Sequence, residues 1–285
     1  MTRLGCAMQD AFAYCAEVVR ATDRDRYLAT LLAPARGREP LYALYAFNSE
    51  VARVRELARQ ALPGEIRLQW WSDVLRGERS GEAGANPVAS ALLLAMEQHR
   101  IAQDTLIDLI EARRFDLYDE PMATVADLET YARRTSSVLF ALAAKILSGN
   151  EVQAVAEPAG IAYAIASLLR TLPLHAARHQ LFVPTEILER QRVPAEDLFA
   201  GRSSEGLNAA LADLRNLARN HLATAAKGIP DLPSAALPAL LPAALVRPSL
   251  DRLERSDAFA PADITPWRRQ WLIWRAARNP VRIAT

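Results

Sequence analysis

Apolar residues recur at helical spacing along almost the whole chain, and this periodicity constrains the fold more than any other feature of the sequence. One such run covers residues 125–147 and ends at Ser148-Gly149-Asn150, where Gly and Asn favour a helix stop. Alternation of β-branched residues is nearly absent, and Ala, Leu, Arg and Glu, which favour helices, dominate the composition. We therefore expect an all-α fold of about ten to twelve helices, in a single domain that covers residues 1–285. Another run with helical spacing contains Leu41, Leu44, Tyr45, Phe47, Val51, Val54 and Leu57.

Charge and hydropathy exclude several classes of protein. The formal net charge of +1 argues against a nucleic-acid partner, which would require clustered Lys and Arg in excess. The longest uncharged stretches, residues 158–169 and 232–246, are shorter than the ~20 residues that span a bilayer. Cys6 and Cys15 are more simply read as reduced thiols than as a disulfide. We expect a cytoplasmic protein that at most contacts the inner membrane peripherally.

Three segments follow one another along the chain in an order that resembles the squalene/phytoene synthase family. The first combines residues 26–28 with the run Leu-Tyr-Ala-Leu-Tyr-Ala-Phe at 41–47. The second is Asp116-Leu117 followed by residues 127–131, and the third joins Gly160, residues 167–170 and residues 182–184. Residues 67–71 and 271–275 add weaker matches. The resemblance implies a single-domain isoprenoid-synthase-like helical bundle.

The resemblance also implies a reaction, the head-to-head transfer of prenyl diphosphates. That reaction begins by ionising an allylic diphosphate, and bound Mg²⁺ must meet the charge of the leaving group. Mg²⁺ prefers carboxylate and phosphate oxygens as ligands. Two aspartates four residues apart share one face of a helix, so two such pairs on facing helices can hold a metal cluster.

The chain departs from the family at both aspartate-bearing places. The first set of positions holds Ala52, Arg53 and Glu56, and the second holds Thr171 and His175. Only Glu56 remains as a carboxylate, and a guanidinium at position 53 would repel Mg²⁺. We therefore expect no catalytic residue, no metal site and no cofactor, with Mg²⁺ needed only if the chain is an active enzyme.

The departures themselves resemble a catalytically degenerate branch of the family, which includes the mitochondrial respiratory complex I assembly factor. The matching pattern is Ala46-Phe47-Asn48-x-Glu50-x-Ala52-x-Val54, then Leu169-Arg170-x-x-Pro173-x-His175-x-x-Arg178 and Phe182-x-Pro184. The resemblance implies a pseudoenzyme that helps to assemble or mature NADH:quinone oxidoreductase by contacting a complex I subunit. Two alternatives stay open. One is a working squalene- or phytoene-type synthase of isoprenoid biosynthesis, and the other is a metal-free binder of an isoprenoid phosphate.

Six residues are candidates for ligand binding in the altered pocket. Arginines can hold a phosphate bidentately without a metal, although ion pairs with Glu50, Glu56 or other acids are the favoured interpretation of these arginines. His175 either shapes the pocket by hydrogen bonding or lies near exposed carbonyls at a helix end. The six residues are Tyr45, Arg53, Tyr131, Arg170, His175 and Arg178.

Other residues have a structural interpretation that competes with a functional one. Asp104 and Asp108 are four apart, but the apolar spacing of their segment predicts that both face solvent. His175 and His179 are also four apart, yet Pro173 indicates a helix end there, which disfavours a zinc site. Five aromatic residues would line an isoprenoid tunnel in an active relative, although core packing is the favoured interpretation. They are Tyr42, Tyr45, Phe47, Phe140 and Tyr163.

Three tryptophans form a stripe at helical spacing near the C-terminus, at Trp267, Trp271 and Trp274. The sequence leaves open whether this helix docks on the core or exposes the stripe to a protein partner or a membrane.

Overall fold

A computed structural model describes residues 3–58 and 60–284, with side chains from residue 8 onward. The chain is 79% helical, and no strand occurs within the described ranges. The predicted all-α class is therefore confirmed. The prediction of one domain over residues 1–285 stays a prediction.

The α-helices, numbered in chain order, vary widely in length. Helices of four to six residues, such as α4 and α12, raise their number in the described part of the chain above the predicted ten to twelve. Short 3-10 segments and one π-helical segment, Arg133–Ser137, connect them. The 3-10 segments are Arg114–Leu117, Ile229–Asp231, Ser234–Ala236, Leu241–Leu245 and Pro280–Ile283. The α-helices are α1 (Arg3–Thr22), α2 (Arg24–Leu31), α3 (Ala35–Ala52), α4 (Val54–Leu57), α5 (Ala61–Leu75), α6 (Ser80–Ala85), α7 (Pro87–His99), α8 (Gln103–Arg113), α9 (Val125–Ala132), α10 (Val138–Ser148), α11 (Gln153–Arg170), α12 (Leu172–Ala177), α13 (Thr185–Arg190), α14 (Ala195–Phe199), α15 (Glu205–Gly228), α16 (Leu237–Leu240), α17 (Val246–Glu254) and α18 (Pro266–Arg278).

One compact unit comprises Met1–Leu117, Ala141–Val152 and Pro233–Ala239. Helices α1, α3 and α7 pack on one another at its centre. Cys15 of α1 is a buried free thiol, and burial raises its pKa from 9.0 to about 12. The side chain of Cys6 lies outside the described residues. As the apolar spacing of α8 predicts, Asp104 and Asp108 are both exposed.

The other compact unit comprises Tyr118–Phe140, Gln153–Leu232 and Leu240–Thr285. Its central helix, α11, packs on α15, on the π-helical segment and on α17. Gly160 allows α11 to approach the π-helical segment closely, because a Cβ atom there would lie 2.5 Å from the backbone nitrogen of Ser137. The Ser137 hydroxyl donates to the Glu157 carbonyl oxygen at 2.7 Å, which joins the two segments at the same place.

None of the helices in the described ranges is long and apolar enough to cross a membrane.

Candidate functional site

The first altered segment lies at a break between two helices. Helix α3 ends at Ala52, and Arg53 has φ −97° and ψ 11° before α4 begins at Val54. Ala52 and Glu56 therefore do not share one continuous helix, although the sequence argument placed residues four apart on one face. Neither Gly nor Pro marks this break, so the sequence carried no signal for it.

The charged side chains at this break pair with one another. Arg53 Nε donates to Glu56 Oε2 at 2.8 Å, and both side chains are partly exposed. Glu50 pairs instead with Arg67 of α5. The favoured ion-pair interpretation of Arg53 thus describes what the side chain does, with Glu56 and not Glu50 as its partner.

A neighbouring arginine that the sequence reasoning missed anchors α4. Arg55 Nη1 donates to the carbonyl oxygen of Leu117 at 2.8 Å, which ties α4 to the 3-10 segment Arg114–Leu117. In that segment Asp116 is buried and lies 3.1 Å from Arg113 Nη1. This family-like Asp116-Leu117 pair therefore has a structural role in the unit.

The second altered segment repeats the same backbone feature. Helix α11 ends at Arg170, and Thr171 has φ −94° and ψ 10° before α12 begins at Leu172. Pro173 lies in the first turn of α12, so the prediction of a helix end near this proline is right. The Thr171 hydroxyl donates to the carbonyl oxygen of Ser167 at 2.8 Å, which satisfies the last turn of α11.

His175 lies in the last turn of α12 against aromatic side chains. Its ring centroid is 4.6 Å from that of Phe182, which is in turn 5.6 Å from that of Tyr131. The Nδ1 atom is buried without a hydrogen-bond partner, so hydrogen bonding at this atom does not shape the pocket. The helix-end interpretation fits the position of the residue.

The Phe182-Val183-Pro184 element is held in place by backbone pairing. The amide of Met122 donates to the Leu181 carbonyl oxygen at 3.0 Å, and the amide of Thr185 donates to the Met122 carbonyl oxygen at 2.9 Å. Asp127, from the second family-like segment, forms a capping box with Thr124 that begins α9. These contacts fix the wall on which His175 packs.

A small apolar cavity lies beside His175. Its walls include Leu128, Ile165, Leu172 and Phe182, and its volume is about 10 Å³. A cavity of this size holds at most about one water molecule. It therefore has no room for an isoprenoid chain.

The remaining candidate residues each contact different parts of the structure. Tyr45 is buried in α3 with the Arg26 guanidinium 5.5 Å from its ring centre. Arg170 Nε lies 3.6 Å from Asp263, a partner ninety-three positions away that the sequence could not indicate. Arg178 is half-buried at the end of α12. His179 follows in a left-handed conformation with φ 56°, outside α12, so it does not share a helix face with His175.

No group of three or more His, Cys, Asp or Glu side chains is arranged to hold a metal ion among the described residues.

The pH dependence of the free energy of unfolding tests whether the His175 side chain is buried as the structure describes. Burial, and then the positive charge of Arg178, lower its pKa from 6.5 to about 4. Between these two pH values the unfolded chain binds a proton that the folded chain does not, so stability falls as pH decreases, by at most about 1.4 kcal/mol per pH unit. We expect His175→Gln to remove this component from the free energy of unfolding measured by urea denaturation. Parallel pH profiles for the wild type and the variant would contradict the described burial.

Comparison with known proteins finds a matching family model and several similar proteins. Residues 19–275 match the squalene/phytoene synthase family model. The chain is 30% identical to NADH dehydrogenase (ubiquinone) complex I, assembly factor 6 of Rattus norvegicus, over 89% of this chain and 77% of that protein. For the human protein of the same name the identity is 30%, over 86% of this chain and 74% of that protein.

Synthases are also among the similar proteins. A phytoene synthase of Thermus thermophilus is 27% identical and covers 98% of both chains. A dehydrosqualene synthase crystal structure with a bound ligand has a TM-score of 0.84 and 19% identity, over 95% of this chain and 96% of that chain. A squalene synthase structure from Alicyclobacillus acidocaldarius has a TM-score of 0.77 and 20% identity, over 89% and 96% of the two chains. The structural matches confirm the predicted bundle.

Proposed function

Because this chain belongs to the squalene/phytoene synthase family, we propose that it keeps the family's helical fold but acts without catalysis in the assembly of respiratory NADH:quinone oxidoreductase. One observation carries the proposal. Glu56, the one carboxylate left at the family's aspartate positions, is paired with Arg53 at 2.8 Å. The partner that we propose is a subunit of the peripheral arm of complex I.

The residues at the two breaks do not fit a magnesium cluster. Mg²⁺ is a hard cation that requires several oxygen ligands in near-octahedral geometry. At the first break the carboxylate at the family's aspartate positions is that of Glu56, which already accepts a hydrogen bond from the Arg53 guanidinium. The second offers the Thr171 hydroxyl and the imidazole of His175, which packs on Phe182. The leaving diphosphate of a prenyl transfer would therefore find no metal ligand set in these side chains.

The relatives support the assembly role over the synthase role. The rat and human assembly factors are more similar to this chain than is the Thermus thermophilus phytoene synthase, at 30% against 27% identity. The phytoene synthase match supports the competing function, a prenyltransferase that uses Mg²⁺. That alternative is disfavoured because the residues at positions 52, 53, 56, 171 and 175 include a single carboxylate that could bind Mg²⁺.

A metal-free isoprenoid phosphate binder is disfavoured for a separate reason. Such a site would use Arg53, Arg170 and Arg178 to bind the phosphate, but two of these side chains, Arg53 and Arg170, each lie beside an acid, Glu56 at 2.8 Å and Asp263 at 3.6 Å. A phosphate would have to displace those carboxylates.

Gene deletion with complementation tests the proposal. We expect loss of the chain to lower NADH:quinone oxidoreductase activity in membranes, with carotenoid and hopanoid contents unchanged. We expect the variant Glu56→Gln to restore that activity as fully as the wild type, because Glu56 is exposed and its ion pair with Arg53 is worth about 0–1 kcal/mol. An enzyme that uses Glu56 to hold Mg²⁺ would lose its function in this variant.

Two results would contradict the proposal, the first its assembly role and the second its lack of catalysis. One is a deletion strain with normal NADH:quinone oxidoreductase activity and altered isoprenoid products. The other is failure of Glu56→Gln to complement although the variant accumulates to the level of the wild type.

A further inference from the structure

The last long helix of the chain, α18, buries one face and exposes the opposite face. Leu272, Ile273 and Ala276 are buried, and the helix packs on the 3-10 segments Leu241–Leu245 and Pro280–Ile283. These buried residues anchor α18 to its own compact unit. The sequence had left open whether the helix docks or exposes its tryptophans, and within this unit it does both.

The exposed face carries an aromatic stripe. Trp267 is 70% exposed, and Trp271 and Trp274 are each 47% exposed. Because residues i, i+4, i+7 and i+11 align on a helix, these tryptophans and Arg278 form one row about 16 Å long. Large exposed aromatic surfaces of this kind mark interaction sites rather than ordinary surface.

Arginines accompany the tryptophans. The Arg275 guanidinium lies 4.5 Å from the ring centre of Trp271, and that of Arg278 lies 4.6 Å from the ring centre of Trp274. Residues 264–284 contain five arginines and no Asp or Glu, whereas the whole chain has a net charge of only +1. One of the five, Arg282, lies in a 3-10 segment packed against α18, and the segments packed against α18 contain no acid. Asp263, just before this stretch, lies 3.9 Å from Arg269 on the other side of the helix.

We propose that the exposed face of α18 binds the surface of a bilayer that contains anionic lipids. Indole rings are favoured at the boundary between headgroups and acyl chains, and guanidinium groups bind headgroup phosphates bidentately. A helix with this composition lies in the plane of the interface and does not cross it. Besides Arg269, which lies beside Asp263, residues 264–284 carry four arginines and no acid, which matches a uniformly anionic surface, whereas a protein interface usually combines both signs. The proposal does not depend on the assembly role.

Vesicle flotation of the full chain tests this surface. We expect the protein to float with vesicles of phosphatidylcholine and phosphatidylglycerol but not with vesicles of phosphatidylcholine alone. Raising the ionic strength should release it, because salt screens the attraction. The variant Arg268→Gln/Arg278→Gln/Arg282→Gln should bind about tenfold or more weakly, since each basic residue near an anionic surface contributes separately.

A second set of arginines provides the matched control. The variant Arg247→Gln/Arg252→Gln/Arg255→Gln removes the same charge from exposed positions in and just after α17, and it should bind within about twofold of the wild type. The variant Trp267→Gln/Trp271→Gln/Trp274→Gln should also lose binding while its circular dichroism and unfolding midpoint stay unchanged, because these side chains are exposed. Brominated lipids should quench tryptophan emission in the wild type and not in this triple variant.

Three outcomes would overturn the proposal. The wild type would fail to float with anionic vesicles, the α17 control would lose as much binding as the α18 variant, or both α18 variants would bind as the wild type does. The last outcome would leave the stripe as a surface for a protein partner.

Discussion

Replacing Gly160 with alanine is expected to lower the free energy of unfolding by about 3 kcal/mol or more, at the upper end of the usual cost of overpacking. The reason is the approach of α11 to the π-helical segment Arg133–Ser137. A Cβ atom at position 160 would lie 2.5 Å from both the backbone nitrogen and the hydroxyl oxygen of Ser137. That backbone is fixed within a helical segment and by the bond from Ser137 to Glu157, so it cannot shift cheaply. Chemical denaturation followed by circular dichroism measures the effect.

The same substitution at Gly84 serves as the control. Gly84 lies in α6, and a Cβ atom there would meet no atom within 4 Å. Alanine is the better helix former by roughly 0.5–1 kcal/mol, so Gly84→Ala should leave stability unchanged or slightly raised. Equal effects of the two substitutions would show that the described packing at Gly160 is wrong.

Truncating Phe47 to alanine is the second large effect that we expect. Phe47 is fully buried in α3, and its ring centroid is 5.1 Å from that of Trp71 in an edge-to-face arrangement. Removing a buried phenylalanine leaves a cavity and costs about 3–5 kcal/mol. An aromatic residue that lined an open tunnel would cost less, so urea unfolding of Phe47→Ala separates core packing from the tunnel interpretation.

An exposed aromatic residue of the same unit provides the comparison. Tyr14 of α1 is 49% exposed, and Tyr14→Ala should change the free energy of unfolding by no more than about 0.5 kcal/mol. If Phe47→Ala cost no more than Tyr14→Ala, the core interpretation of Phe47 would be wrong.

The fold class could be predicted from the sequence because helical periodicity and strong helix formers extend over nearly all of the chain. The number and ends of the helices could not. Pro173 indicated the break at Thr171, but nothing at Arg53 indicated the equivalent break. The π-helical segment Arg133–Ser137, which packs against α11, also lies within the run 125–147 whose apolar spacing indicated one continuous helix.

The residue types of the candidate site could be read from the sequence, but their partners depended on tertiary contacts. The pairing of Arg53 with Glu56 was among the predicted alternatives because the two are close in sequence. The pairs Glu50–Arg67 and Arg170–Asp263 join different elements, so spacing along the chain could not find them. The unpartnered Nδ1 of His175 follows from the apolar wall around Phe182, which local sequence does not specify.

The two altered segments share one structural consequence. Each is a helix end in the same backbone conformation, at Arg53 and at Thr171, and each side chain there is engaged in a local contact. Arg53 pairs with Glu56, and Thr171 caps the last turn of α11 through Ser167. Side chains that stabilise helix ends in this way serve the fold, which is consistent with a scaffold that performs no prenyl transfer.

The central claim is that these side chains cannot recruit the divalent cations that carry away a diphosphate. The direct measurement is pyrophosphate release by the purified chain incubated with Mg²⁺ and farnesyl or geranylgeranyl diphosphate. We predict no release above that of a protein-free control. Release that requires Mg²⁺ and disappears in Glu56→Gln would contradict the account.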